Sequence, residues 1–118
     1  MGRYKLSGDA KEDLRRIYRY GVLAFGEAQA DRYYDALFER FAQIANEPYL
    51  YPSVDSIRPG YRRSVCGVDN IFYRLIKYET VEIIAILGRQ YYPERLLINL
   101  LLCSLVQVIP HATILHIK

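Results

Sequence analysis

Between Ile71 and Leu87 the apolar positions of this chain recur with a period of two. Ile71, Tyr73 and Leu75 alternate with Phe72, Arg74 and Ile76; Val81, Ile83, Ala85 and Leu87 alternate with Glu82, Ile84 and Ile86. That period, rich in β-branched and aromatic side chains, predicts strands. A further strand precedes them in RPGYRRSVCG, with Gly67-Val68-Asp69-Asn70 and Lys77-Tyr78-Glu79-Thr80 as the turns of a three-stranded meander. Closer to the N-terminus the period lengthens. After a short strand at Arg3 to Leu6, Ser7 is a good N-cap, and Asp9, Glu12 and Asp13 place negative charge where the helix dipole favours it. Ala10, Leu14, Ile17, Gly21 and Ala24 then fall on one stripe at three- and four-residue spacing, and Gly26 supplies the stop. A second helix runs from about Glu27 to Asn46 with Ala30, Tyr34, Leu37, Phe41 and Ile44 on its buried face, before Pro48. So short a connection forces an antiparallel helical hairpin.

The order strand, helix, helix, loop (residues 46–60, with three prolines), then three strands predicts an α+β fold. The helical hairpin covers one face of a small, mainly antiparallel sheet, and the other face is expected to be free for a partner. The tail breaks the pattern. Leu96 to Ile109 is nearly all apolar, then Pro110 interrupts. Fourteen residues fall short of the ~20 a membrane-spanning helix needs, and Asn99, Ser104 and Gln107 interrupt them. A packed helix, an oligomer contact, a membrane-surface segment and an appended non-native stretch all fit this composition. The expected division is therefore a domain at residues 1–95 and an apolar extension at 96–118.

Composition changes this picture little. A chain of 118 residues makes one domain with a single core, and 52% hydrophobic with 25% charged residues is globular. Twelve tyrosines without tryptophan suit half-exposed aromatic surface, although ordinary core tyrosines account for them equally well. Charge is more informative. Residues 1–56 carry eight Lys/Arg against nine Asp/Glu, whereas residues 57–118 carry eight against four, so the net +3 is −1 plus +4. The basic excess sits on the sheet half, which points to an acidic partner or to a solvated face. Cys66 and Cys103, with His111 and His116, form neither a disulfide framework nor a metal-ligand pattern, so no metal and no cofactor are expected. No apolar core follows a basic start at the N-terminus, so no signal peptide is expected and the cytoplasm is the expected location.

Three motifs sharpen the reading: the opening LSGDAKEDLRRIYRYG, the strand RPGYRRSVCG leading into NIFYRL, and the strand ending VEIIAILGRQ. Together with the order of elements, they resemble the ParE branch of the RelE/ParE toxin superfamily over residues 3–95. The resemblance implies the toxin of a type II toxin–antitoxin module that inhibits DNA gyrase, blocks replication and is not an enzyme. It also implies neutralisation by a cognate ParD-like antitoxin with an acidic C-terminal tail, in a hetero-oligomer that meets DNA only through the antitoxin and needs no membrane. RelE-type relatives are instead ribosome-dependent mRNA endonucleases.

Cleavage of that kind needs a crowd of cations around the scissile phosphate and a group that handles a proton. Cleaving relatives place lysines on the first meander strand, where this chain has Arg62, Arg63 and Ser64. Asn70 stands where a further arginine is expected, and Arg95 where the assisting tyrosine would come. Arg89 persists, with Tyr91 and Tyr92 displaced from that place. No catalytic residue is therefore assigned, and the ParE branch is favoured. An RNase built on Arg62, Arg74 and Arg89, and an inactive toxin acting only in operon autoregulation, are the alternatives.

The candidates for target contact are Arg62, Arg74 and Arg89. Arg74 has an ordinary alternative in pairing with Glu82 across the sheet, Arg62 and Arg63 point to opposite faces, and Tyr73 shares the core face of Ile71 and Leu75. In the family a disordered antitoxin tail folds on contact, laying a helix against the hairpin and an extended piece along the sheet. This makes Tyr18, Tyr33 and Phe38, flanked by Arg15, Arg19 and Arg40, the antitoxin-binding candidates. A half-buried margin of the hairpin core is the competing reading of Tyr18 and Tyr33.

Overall fold

The computed structural model describes residues 2–88. Strand β1 (Arg3–Leu6) leads into helices α1 (Gly8–Phe25) and α2 (Glu27–Asn46), followed by β2 (Tyr61–Cys66), β3 (Asp69–Lys77) and β4 (Thr80–Gly88). The sheet order is β1-β4-β3-β2, antiparallel except that β1 lies parallel to β4. The α+β architecture, the hairpin and the mainly antiparallel sheet are those the sequence predicts.

Both helices start and stop where their sequences say. The Ser7 hydroxyl accepts from the Ala10 N–H at 3.0 Å, and Gly26, at φ 90°, closes α1 and opens α2. Ala10, Leu14 and Ile17 of α1 and Leu37, Phe41 and Ile44 of α2 are buried against Ile71, Tyr73, Val81, Ile83 and Ile86 of the sheet. Ala24, expected on the buried stripe, is exposed.

Three expectations about the sheet need correction. Both turns are shorter than four residues: Asp69 and Asn70 already pair with Cys66 and Val65, and Thr80 pairs with Lys77. Gly67 (φ 60°) begins the first turn, as a Gly-first two-residue hairpin requires, and Glu79 (φ 58°) ends the second. Secondly, β4 does not alternate throughout. Phe72 pairs with Ala85 but Tyr73 pairs with Ile83, so Ile84 is an extra residue in a bulge. The bulge turns Ile86 toward the helices and sends Ile84, Ala85 and Leu87 to the opposite face. Thirdly, that opposite face is not free. Phe72, Ile84, Ala85 and Leu87 form a second buried cluster with Val54, Tyr61 and Ile57, contributed by the loop before β2 and the strand's first residue.

A polar seam joins α1 to β4. β1 pairs with β4 only as far as Ile83, which leaves the backbone groups of the following residues to be satisfied. Side chains of the first helix take over. The Ser7 hydroxyl donates to the Ile84 carbonyl at 2.8 Å, Asp13 accepts from the Ile86 N–H at 3.0 Å, and Arg16 donates to the Ile86 carbonyl at 3.0 Å. Asp13, read from the sequence as a dipole charge, is in fact buried as a surrogate strand partner. Its place between Ala10, Leu14 and Ile17 on the apolar stripe is the signal that could have revealed it.

Candidate functional site

The six antitoxin-binding candidates do not form one surface. Arg15, Tyr18 and Phe38 line an open groove of about 470 Å³ together with Leu6, Leu14 and Tyr34, edged by Lys11 and Asp31. Spacing along the helices assembles it: Leu14 and Tyr18 are one turn apart on α1, as are Tyr34 and Phe38 on α2, so the hairpin brings four apolar or aromatic side chains to one flank. Tyr18 meets Tyr34 edge-on at 5.5 Å, Tyr34 packs on Phe38 at 4.9 Å, and Phe38 on Phe41 at 5.1 Å. The Tyr18 hydroxyl donates to Asp31 at 2.6 Å, which ties the two helices and pushes its pKa up to about 12. Arg15 is exposed and paired with Glu12, and Arg19 is exposed on α1 without lining this groove.

Tyr33 and Arg40 lie apart from this groove and make contacts within the fold. The Tyr33 hydroxyl lies 2.7 Å from Asp69 Oδ2 and 3.0 Å from the Cys66 carbonyl oxygen, so it locks the β2–β3 turn against α2. Its ring rests on Gly67, where an added Cβ would come within 2.5 Å of the ring. Burial first, then the Asp69 hydrogen bond, pushes the Tyr33 hydroxyl far above its ordinary pKa; burial likewise raises the Asp69 carboxyl, against the Tyr33 hydrogen bond and Arg16, which lower it. Arg40 reaches from α2 to Ser64 Oγ at 2.9 Å and the Val65 carbonyl at 2.6 Å, with its guanidinium 5.8 Å from the Tyr51 ring centre.

The target-contact candidates separate too. Arg62 pairs with Tyr73 in register and therefore stands on the helix side of the sheet; it donates to the Tyr51 carbonyl at 2.7 Å and lies over the ring of exposed Tyr49 at 5.0 Å. Arg74 pairs with Tyr61 and stands on the opposite face, where it donates to Glu82 at 3.0 Å and 3.1 Å. The guanidinium groups of Arg58 and Arg74 lie 5.5 Å and 5.9 Å from the buried Tyr61 ring. Sequence reasoning missed Arg58; its place in a proline-bounded loop gives no period to read. Arg89 lies outside the described residues, as do Tyr91, Tyr92, Arg95 and the apolar run from Leu96. Asn70 uses its side-chain amide to donate to the Leu87 carbonyl at 3.3 Å, a structural role inside the sheet. Among the described residues no group of acidic, His and Cys side chains could hold a metal ion, and no helix is long and apolar enough to cross a membrane.

Comparison with known proteins agrees with this architecture. Residues 4–91 match the family described as the ParE toxin of the type II toxin–antitoxin system parDE. The chain is 30% identical over 93 residues to Toxin ParE1 of Mycobacterium tuberculosis, covering 79% of this chain and 95% of that protein. It is 37% identical over 85 residues to Toxin ParE1 of Caulobacter vibrioides, covering 71% and 88%. A chain in the solved chromosomal ParDE TA system from P. aeruginosa superposes with a TM-score of 0.60 at 22% identity, over 75% of this chain and 95% of that one, a likeness of fold. The chain belongs to the ParE toxin family of type II toxin–antitoxin systems.

Proposed function

We propose that this chain acts in the cytoplasm as a non-enzymatic toxin that inhibits DNA gyrase and so blocks replication. A cognate ParD-like antitoxin with an acidic tail neutralises it by direct binding. The observation that carries the choice of branch is the separation of Arg62 and Arg74 onto opposite faces of the sheet. A ribonuclease of the RelE type would need its cations gathered around one phosphate. With the Arg62 guanidinium beside Tyr49 and that of Arg74 held by Glu82, these two arginines belong to separate surfaces. Arg62 and Arg89 are the proposed target contacts, with Arg74 a weaker one because of its ion pair. The Tyr18–Tyr34–Phe38 groove, with Arg15, Lys11 and neighbouring Arg19 as cations, is the proposed seat of the antitoxin helix, where an acidic tail finds both apolar contact and opposite charge.

Tightly controlled expression tests this, with and without the neighbouring upstream gene. Expression alone should stop growth with filamentation and DNA damage, and co-expression should restore growth. Equal growth in both cultures, with soluble protein present, would overturn the toxin reading. Cuts at the ribosomal A site, seen by toeprinting, would replace gyrase inhibition with mRNA cleavage.

A further inference from the structure

Charge is divided unevenly between the two layers of this fold. The helices carry six Lys/Arg against seven Asp/Glu, whereas the four strands carry six against two. Register then sorts the strand charges by face. Asp69, paired with Cys66, and Arg62, paired with Tyr73, stand on the helix side, where Cys66 and Tyr73 are core. Tyr4 and Leu6 also pack on that core, so Arg3 and Lys5, which alternate with them, stand on the loop-covered side. Lys5 and Arg74 both pair with Glu82, and Arg74 pairs in turn with Tyr61, so these four side chains form one row across the sheet. Arg3 and Lys77 flank Thr80 in the next row, and Arg63 stands beside Phe72 on the other side. Arg58 lies 5.5 Å from the Tyr61 ring centre, and its Nε has no hydrogen-bond partner among the described residues. Six cations from four segments thus share this face, and Glu82 is the one carboxylate its strands place there. Two further carboxylates, Asp55 and Glu79, lie in the flanking loop and turn.

A face of this kind attracts a polyanion. Strands lie about 4.8 Å apart, so the row from Lys5 to Tyr61 runs about 14 Å. A DNA duplex carries one negative charge per about 1.7 Å of its axis. Cations at this spacing meet a series of phosphates and are too spread to converge on one. An acidic peptide fits less well. A disordered tail loses conformational entropy when it docks and needs apolar burial to offset the loss. Here Phe72, Ile84, Ala85 and Leu87 are already buried with Val54 and Ile57, whereas the Tyr18 groove offers aromatic side chains and cations together. A duplex is ordered before it binds and is held by charge alone.

We propose that the loop-covered face of the sheet binds the phosphodiester backbone of duplex DNA without reading its sequence. Arg3, Lys5, Lys77 and Arg58 make the contacts, and Arg74 is shared between DNA and Glu82. DNA contact is then direct, in addition to any made through an antitoxin. The choice of DNA over RNA rests on the replication target proposed above. Binding is measured without gyrase or antitoxin, so the two readings fail separately.

The test is fluorescence anisotropy of the full-length chain with a short labelled duplex of arbitrary sequence. Affinity should fall with salt at a log–log slope of about −3 to −4, as for four phosphate contacts. At about 0.1 M salt, Lys5→Glu and Lys77→Glu should each weaken binding roughly tenfold. Arg32→Glu makes the same change in net charge on exposed α2 surface and should alter binding less than about twofold. Glu82→Gln, which releases Arg74, should strengthen it. All three replaced cations are exposed, and an unchanged melting temperature checks that each variant is folded. Equal losses from Lys5→Glu and Arg32→Glu would reduce the effect to net charge and overturn the proposal, as would an absence of binding at about 0.05 M salt. Tighter binding of an RNA duplex of the same sequence would overturn it in favour of RNA. Displacement of the DNA by poly-glutamate at equal charge concentration would overturn it in favour of an acidic protein.

Discussion

The helix-covered face of the sheet and its opposite face bury side chains of similar size against different covers. On the first, Ile71, Tyr73, Val81, Ile83 and Ile86 meet two amphipathic helices whose apolar residues repeat every turn. On the second, Phe72, Ile84, Ala85 and Leu87 meet Val54 and Ile57 from an irregular loop, and the same face carries the Arg74–Glu82 pair and the arginine-flanked Tyr61. A periodic cover advertises itself in sequence; a loop cover does not. Polar residues such as Arg74 and Glu82 make a strand face look solvent-facing even when the apolar residues beside them are fully buried.

The sharpest way to break this comparison is to truncate one aromatic side chain on each face. Phe41→Ala on the helix side and Phe72→Ala on the loop side should each cost about 3–5 kcal/mol, since both are wholly buried. Urea denaturation followed by circular dichroism gives both values. If Phe72→Ala costs under about 0.5 kcal/mol, like an ordinary surface substitution, the second face is the open partner surface that its alternating sequence suggests.

A smaller effect is expected at the lock between the hairpin and the β2–β3 turn. Tyr33→Phe removes the hydroxyl that meets Asp69 and the Cys66 carbonyl, and should cost about 1–3 kcal/mol because a buried carboxyl loses its partner. The same change should alter the alkaline limb of stability. Tyr33 and Tyr73 have folded-state pKa values raised above the ordinary 10, that of Tyr73 to about 12, chiefly by burial. Their contribution is complete below pH 10 and is lost as pH rises through the folded values, because there the unfolded chain releases protons that the folded one retains. Melting temperature should therefore fall steeply between pH 10 and 12 in the parent protein and less steeply in Tyr33→Phe. Identical slopes would mean that the Tyr33 hydroxyl is not held as the structure has it.

Much of this was legible in the sequence, for reasons that can be located. Ser7, Gly26 and the Ala10–Leu14–Ile17 stripe are local signals, and they mark α1 correctly to its caps. Tyr73, read as core from its neighbours Ile71 and Leu75, is fully buried and donates to the Pro48 carbonyl at 2.6 Å. Long-range partners were not legible. The Ile84 bulge, the burial of Asp13 under the edge of β4, and the use of Tyr33 and Arg40 as struts all depend on what the chain meets dozens of residues away. The same limit applies to the candidate site: helix spacing brings Tyr18 and Phe38 to one flank, but it does not say that Tyr33 faces the other.

The smallest expected effect on stability falls on Arg74. Its guanidinium is partly exposed, two of its hydrogen bonds go to one carboxylate oxygen of Glu82, and it lies over the Tyr61 ring. Exposed ion pairs contribute about 0–1 kcal/mol, because water screens the attraction and ordering two long side chains costs entropy; the ring contact adds about 0.5–1 kcal/mol at such a site. Arg74→Ala should therefore destabilise by about 1 kcal/mol, well below Phe72→Ala on the same face. Growth inhibition by this variant then sharpens the comparison between the faces. If Arg74 only braces Tyr61 and Glu82, toxicity should survive Arg74→Ala and fall with Arg62→Ala, which removes a cation on the other face. Loss of toxicity in Arg74→Ala with its melting temperature unchanged would instead move target contact to the loop-covered face, and Arg62 would lose its place as the described residue most suited to it.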